Sequence, residues 1–183
     1  ITSTINPQQG HPIMPTGLKQ SSSVVSIGFS ATEAVAGTIA QASVDLNLSP
    51  LDREVFVVLA VNLDADFPDA LAGTNTLVTA ALTTTGQTAM PSLRDANCLS
   101  KTSNGIRAGG FADSGVGFSS QALETPPSTL DYIGIIATND FFVQVQGVNN
   151  AGLKGVQGKM YGYRAVADAS IYAALVQSEV LSA

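Results

Sequence analysis

The chain reads as an all-β protein: one antiparallel sandwich or barrel, with an extended N-terminal arm ahead of it and a short C-terminal α-helix behind it. Three observations predict this. From Ala40 to Leu48 the sequence alternates strictly, with Ala40, Ala42, Val44, Leu46 and Leu48 apolar and Gln41, Ser43, Asp45, Asn47 and Ser49 polar, which is the period of a half-buried strand. Short β-branched runs recur between Gly, Pro, Asn and Asp punctuation at the spacing of a sandwich or barrel. Of the residues, 45% are apolar but only 12% are charged, and Thr, Ser, Asn, Gln and Gly take the polar positions that Lys and Glu fill in helical bundles. At 183 residues the chain can bury one good-sized core, so one domain is expected over residues 24–183.

Residues 1–23 form the arm. Pro7, Pro12 and Pro15 lack amide donors and hold the residues before them extended, and the run Ser21-Ser22-Ser23 has nothing to bury. Such a segment is either a loose terminus or an arm lying on a neighbouring subunit, and in the second case Pro7, Pro12 and Pro15 fall in the subunit interface.

Strands follow. Val24, Val25, Ile27 and Phe29 begin the first, residues 40–48 the second, and Ser49 to Glu54 make a turn with Pro50 in it. Val55 to Leu63, VFVVLAVNL, is nearly all apolar and β-branched, and is expected as a central strand. A loop from Asp64 to Thr74 precedes a strand over residues 76–85. The middle is irregular: Asn104-Gly105 and Gly109-Gly110 predict tight turns, and Val116 with Phe118 anchors a short strand. Residues 132–137, 141–147 and 156–166 are three further strands joined by short polar turns, which predicts a meander. The total is eight or nine strands.

Asp168 then caps a helix over residues 168–181. Ile171 with Leu175 and Tyr172 with Val176 share its faces at four-residue spacing. This helix either closes one end of the barrel or docks on another subunit, which makes Tyr172, Leu175 and Val176 interface candidates.

Composition also excludes function classes. The net charge is −6 and the eight basic residues are dispersed, so no basic stripe exists to neutralise phosphates and no direct nucleic-acid contact is expected. No stretch approaches the roughly 20 apolar residues of a membrane span. Cys98 is the one cysteine and His11 the one histidine. A Ser/His/Asp site would have to use His11, between Gly10 and Pro12 in the arm, and no GxSxG elbow is present. No enzyme activity, cofactor or small-molecule substrate is expected.

Three weaker signals remain. Asp64, Asp66 and Asp69, with Asn62 beside them, offer oxygens to a hard cation, but their spacing is not that of an EF-hand, and a solvated acidic loop is favoured. Asp52, Glu54, Asp131 and Asp140 cannot be placed at a working separation for glycoside hydrolysis from sequence. Tyr161 and Tyr163 alternate onto one face of their strand, where they would either stack on sugar rings or, as favoured here, pack against a neighbouring element.

The last stretch, LDYIGIIATNDFFVQVQGVNNAGLKGVQGKMYGYRAVADASIYAALVQSEVL, is similar in style to virion structural proteins of uncultured marine viruses, and with its arm and terminal helix the chain resembles a single jelly-roll structural protein of an icosahedral virus. The resemblance implies an eight-stranded jelly roll, homo-oligomeric packing, a location in the virion and partners that are copies of the chain and other virion proteins. The missing basic arm departs from coat proteins that hold a genome directly, and implies an inner membrane or protein layer, or a decorating role. Other classes consistent with the composition are a secreted or cell-surface β-sandwich, such as an appendage subunit or adhesin, and a carbohydrate-binding module.

Overall fold

In the computed structural model, residues 15–110, 112–113, 115–121 and 130–182 are described. They form β1 (Leu18–Gln20), β2 (Val25–Thr32), β3 (Ala40–Asp45), β4 (Glu54–Ala65), β5 (Thr76–Thr83), β6 (Cys98–Arg107), β7 (Val116–Gln121), β8 (Gly134–Ile136), β9 (Asp140–Val148), β10 (Gly155–Ala167) and the helix α1 (Ala169–Ser182). Sheet I has the order β1-β10-β4-β8, with β2 also on β10, and sheet II the order β3-β9-β5-β6-β7.

The pairing is nested. β2 pairs with β10, β3 with β9, β4 with β8 and β5 with β6, all antiparallel. First strand meets last and second meets second-last, so the chain is one long hairpin rolled into two facing sheets, which is the jelly-roll arrangement. β1 and β7 are additions at the sheet margins.

This order corrects the expected meander. β8 lies in sheet I, β9 in sheet II between β3 and β5, and β10 back in sheet I. A polar turn specifies that the chain reverses; it does not specify which strand supplies the hydrogen bonds, and here each turn crosses between sheets. Asn104-Gly105 is likewise not a turn. Both residues lie inside β6, paired with Val78 and Leu77 on one side and with Ser119 and Phe118 on the other. Leu77 Cδ1 stands 3.2 Å from where a Gly105 Cβ would be, and Asn104 Nδ2 donates to Ala65 O at 3.0 Å, linking the two sheets.

The main core fills the space between the sheets, with Phe29, Phe56, Val58, Val61, Leu63 and Met160 from sheet I against Val78, Ala80, Leu82, Phe141, Val143 and Val145 from sheet II. Phe29 meets Phe141 edge-on, with ring centroids 5.9 Å apart. The alternation predicted for residues 40–48 persists in burial, but the ladder stops at Asp45. Asn47 turns at φ 51°, and Leu46 and Leu48 stay buried because their amides donate to Asn139, at 2.7 Å each.

The unbroken apolar run in β4 has a cause. Val55 and Val57 face a second cluster on the outer side of sheet I, while Phe56 and Val58 face the main core, so both faces of this half-strand are dry. The register then shifts opposite Tyr161/Gly162, where Ala60 and Val58 are successive partners. Leu59 is the extra residue of a bulge, and past it Val61, Leu63 and Ala65 return to the main core.

The second cluster corrects the docking of the helix. α1 closes neither a barrel end nor, within the chain, a gap between sheets: it lies on the outer face of sheet I over Val55, Val57, Tyr163, Ala165 and Ala167. Leu18–Gln20, inside the expected arm, pair with the C-terminal end of β10, and Leu18 packs into this same cluster. The surface that orders this part of the arm is therefore the chain's own sheet.

Candidate functional site: assembly surfaces

α1 begins as its sequence predicts. Asp168 Oδ1 accepts the Ile171 amide at 2.9 Å, an N-cap bond to the third helical residue. Ile171, Tyr172, Leu175 and Val176 turn toward sheet I. Of the interface candidates, Tyr172, Leu175 and Val176 thus pack, half-buried, against their own sheet. Pro15 is half-buried and its carbonyl accepts the Leu18 amide at 3.2 Å, while Pro7 and Pro12, like His11, lie outside the described residues.

The charge on α1 is buried, and sequence reasoning missed it. Glu179 is only 8% exposed; its Oε1 accepts the Ala137 amide at 2.7 Å and its Oε2 the Thr138 amide at 3.0 Å. What remains outward is Ala173, Ala174, Gln177, Ser178, Val180 and Leu181, a face without charge on which Leu181 is 77% exposed. A helix apolar around much of its circumference is normally covered.

A second surface lies on the outer side of sheet II. Val148, Leu77, Gly105 and Phe118 are successive cross-strand neighbours over β9, β5, β6 and β7. Gly105 leaves a gap in this row, which becomes a groove of about 340 Å³ with Leu77, Ile106, Phe118 and Val148 along it. Phe118 is 56% exposed, and Val116 and Phe67 are comparably open. β7 contains no charged residue or proline, the devices that blunt exposed strand edges.

Asp64, Asp66 and Asp69 do not form a solvated acidic loop, since Asp64 lies within β4. Asp64 is exposed, but Asp66 Oδ2 accepts the Gly155 amide at 2.8 Å. Asp69 pairs with Lys154 Nζ at 2.8 Å and accepts the Ala151 and Gly152 amides. Lys154, then the Gly152 amide, holds the Asp69 carboxyl below the usual aspartate range. Glu33, 2% exposed, joins them from the opposite side, taking the amides of Gly147 at 2.7 Å, Lys154 at 3.0 Å and Gly37 at 3.2 Å. These carboxylates tie down the β9–β10 turn. No group of three or more potential metal-ligating residues occurs among the described residues.

The remaining candidates are also built into the fold. Glu54 accepts the Ser49 amide at 3.0 Å and lies 3.5 Å from Arg164 Nη1, and Asp52 accepts the Ser49 hydroxyl at 2.8 Å. Cys98 is buried, and burial pushes its thiol pKa up. Tyr163 lies under α1, where burial, then Asp131 and Tyr132, raise its phenol. Tyr161 shares its outward direction but stays half-exposed beyond the helix, so the two tyrosines do not form one open platform.

No protein-family model matches the chain, and no curated protein matches it. Among solved structures it is similar to a chain of desmodium yellow mottle tymovirus, at 17% identity and a TM-score of 0.32, over 86% of this chain and 97% of that one.

Proposed function

We propose that the chain is a structural subunit of a viral capsid, either shell-forming or decorating, that assembles in the virion through contacts with copies of itself and with other virion proteins and performs no catalysis. The observation that carries this reading is the nested strand pairing of a jelly roll, one of the architectures from which capsid shells are built. The sequence style of the last third supports it, as do the uncharged outer face of α1 and the open apolar row at Phe118, both fit for burial against another subunit. With Lys and Arg dispersed, the reading places another protein layer or a membrane between this subunit and the genome. No helix of the described residues is long and apolar enough to cross a membrane.

Electron microscopy and sedimentation of the purified chain, alone and with the other virion proteins, test the proposal. Closed shells, or capsomer rings that insert into shells, are expected. Linear filaments, or a monomer that joins no shell at any concentration, would refute it.

A further inference from the structure

The outer face of sheet I has two halves. α1 covers the half carrying Val55, Val57, Tyr163 and Ala165. The other half consists of the cross-strand rows Ser26–Tyr161–Ala60, Gly28–Lys159–Asn62 and Ser30–Gln157–Asp64. The β2 side of each row is small and the β10 side is long, so the face steps down from β10 to the β2 edge and forms a shallow trough open to solvent. Its volume is about 420 Å³. Alternate residues on a strand are about 6.8 Å apart, so three rows extend for about 14 Å.

The polar groups here are unspent. Elsewhere at this end of the sandwich acids and amides are consumed internally: Asp66 and Asp69 hold backbone amides, Asn75 accepts from Ala108 and Gly109, Asn104 donates to Ala65, and Asn150 donates to Leu77. The side chains of Asn62, Asp64, Gln157 and Lys159 bond to no other described residue. They occupy the two rows that follow a half-exposed Tyr161, whose cross-strand neighbours are only Ser26 and Ala60.

We propose that this trough is a glycan-binding site for a neutral pyranose oligosaccharide. A pyranose has an apolar C–H face and a rim of hydroxyls that both donate and accept. Tyr161 supplies the ring for the first, and for the second Asp64 accepts, Lys159 donates, and Asn62 and Gln157 do both. Asp64 and Lys159 cancel in charge, which selects against polyphosphate and against a strongly anionic polymer. An extended peptide would need alternating side-chain pockets, and the floor of Ser26, Gly28 and Ser30 provides none. The inference rests on this face alone and holds whether the subunit builds a shell or acts singly.

The test is a calorimetric and NMR titration of the full chain with neutral hexasaccharides of glucose, mannose and galactose. At least one is expected to bind in the micromolar to millimolar range, shifting the amide signals of residues 60–64 and 157–161. Tyr161→Ala should weaken binding by about tenfold or more, whereas Tyr161→Phe should stay within about threefold; Phe118→Ala, on β7 of the other sheet, should have no effect. Circular dichroism should be unchanged in all three. The proposal is overturned if none of the hexasaccharides binds at about 10 mM, if binding survives Tyr161→Ala, or if the shifts map elsewhere.

Discussion

Glu179, near the end of α1, accepts the backbone amide of Ala137 at 2.7 Å, joining positions 42 residues apart through a nearly buried carboxylate. The second oxygen takes Thr138, so one side chain fastens the helix to the β8–β9 turn. Glu33 does the equivalent at the opposite turn. Leaving a buried amide without a partner costs about 1–3 kcal/mol. Glu179→Ala should therefore destabilise the chain by about 2–4 kcal/mol, and Glu179→Gln by less, since the amide oxygen still satisfies one donor. Urea unfolding measures both, and equal loss in the two variants would show that the carboxylate's acceptors are not what matters.

Gly158 and Gly162 are positions where β10 has no room for a side chain. A Cβ on Gly158 would collide with the Asn62 carbonyl and stand 2.9 Å from Phe29 Cζ, and one on Gly162 would collide with the Val57 carbonyl and the Phe56 ring. Gly158→Ala and Gly162→Ala should each cost about 1–3 kcal/mol through overpacking. Gly110→Ala is the comparison for space, because nothing lies within 4 Å of its Cβ position; its cost should come from its φ of 91° rather than from packing. Thermal unfolding that ranks Gly110→Ala as the worst of the three would contradict the packing account.

The Asp69 carboxyl titrates below its ordinary value because Lys154 and the Gly152 amide favour its charged form. A folded-state pKa below the unfolded one adds stability at pH values above the unfolded pKa, near 4, and that stability is lost as pH falls through the folded value. Asp69→Asn should thus flatten the acid limb of the stability curve and leave its slope above about pH 6 unchanged. Denaturant midpoints measured from about pH 2 to 7 check this; an unaltered acid limb would remove Asp69 from the account.

Leu175 and Leu181 separate folding from assembly. Leu175 packs in the cluster beneath α1, while Leu181 is 77% exposed. Leu175→Asp should destabilise the fold by about 2–5 kcal/mol, whereas Leu181→Asp should change it by no more than about 0.5 kcal/mol yet reduce assembly. Sedimentation with parallel circular dichroism reads both. Raising salt to about 1 M, where the screening length is about 3 Å, should leave the proposed assembly intact, because uncharged faces would be held by apolar burial rather than by ion pairing.

Much of the local structure was legible in the sequence. The alternation at residues 40–48, the apolar run of β4, the turn at Ser49–Glu54 and the capped helix from Asp168 all follow from periodicity and from turn and cap chemistry, which act over a few residues. The turn expected at Asn104-Gly105 failed because pairing on both edges of β6 outweighed a local preference. The anchoring roles of Glu33, Asp66 and Glu179 were not legible, since their partners are backbone amides distant in sequence that carry no residue-type signal.

By itself, the sequence determined that the chain is built from antiparallel strands with alternating faces, carries a capped helix after the last strand and presents little charge, because each of these depends on neighbours within about one turn or one strand. Tertiary structure alone decided that consecutive strands cross between sheets, that α1 covers the outside of sheet I, and that Tyr163 is buried while Tyr161 is left beside an open trough. Those outcomes depend on which distant strands share hydrogen bonds and on where the sheet extends past the helix. Nested pairing, not any single stretch of chain, brings Ser26, Tyr161 and Ala60 into one row.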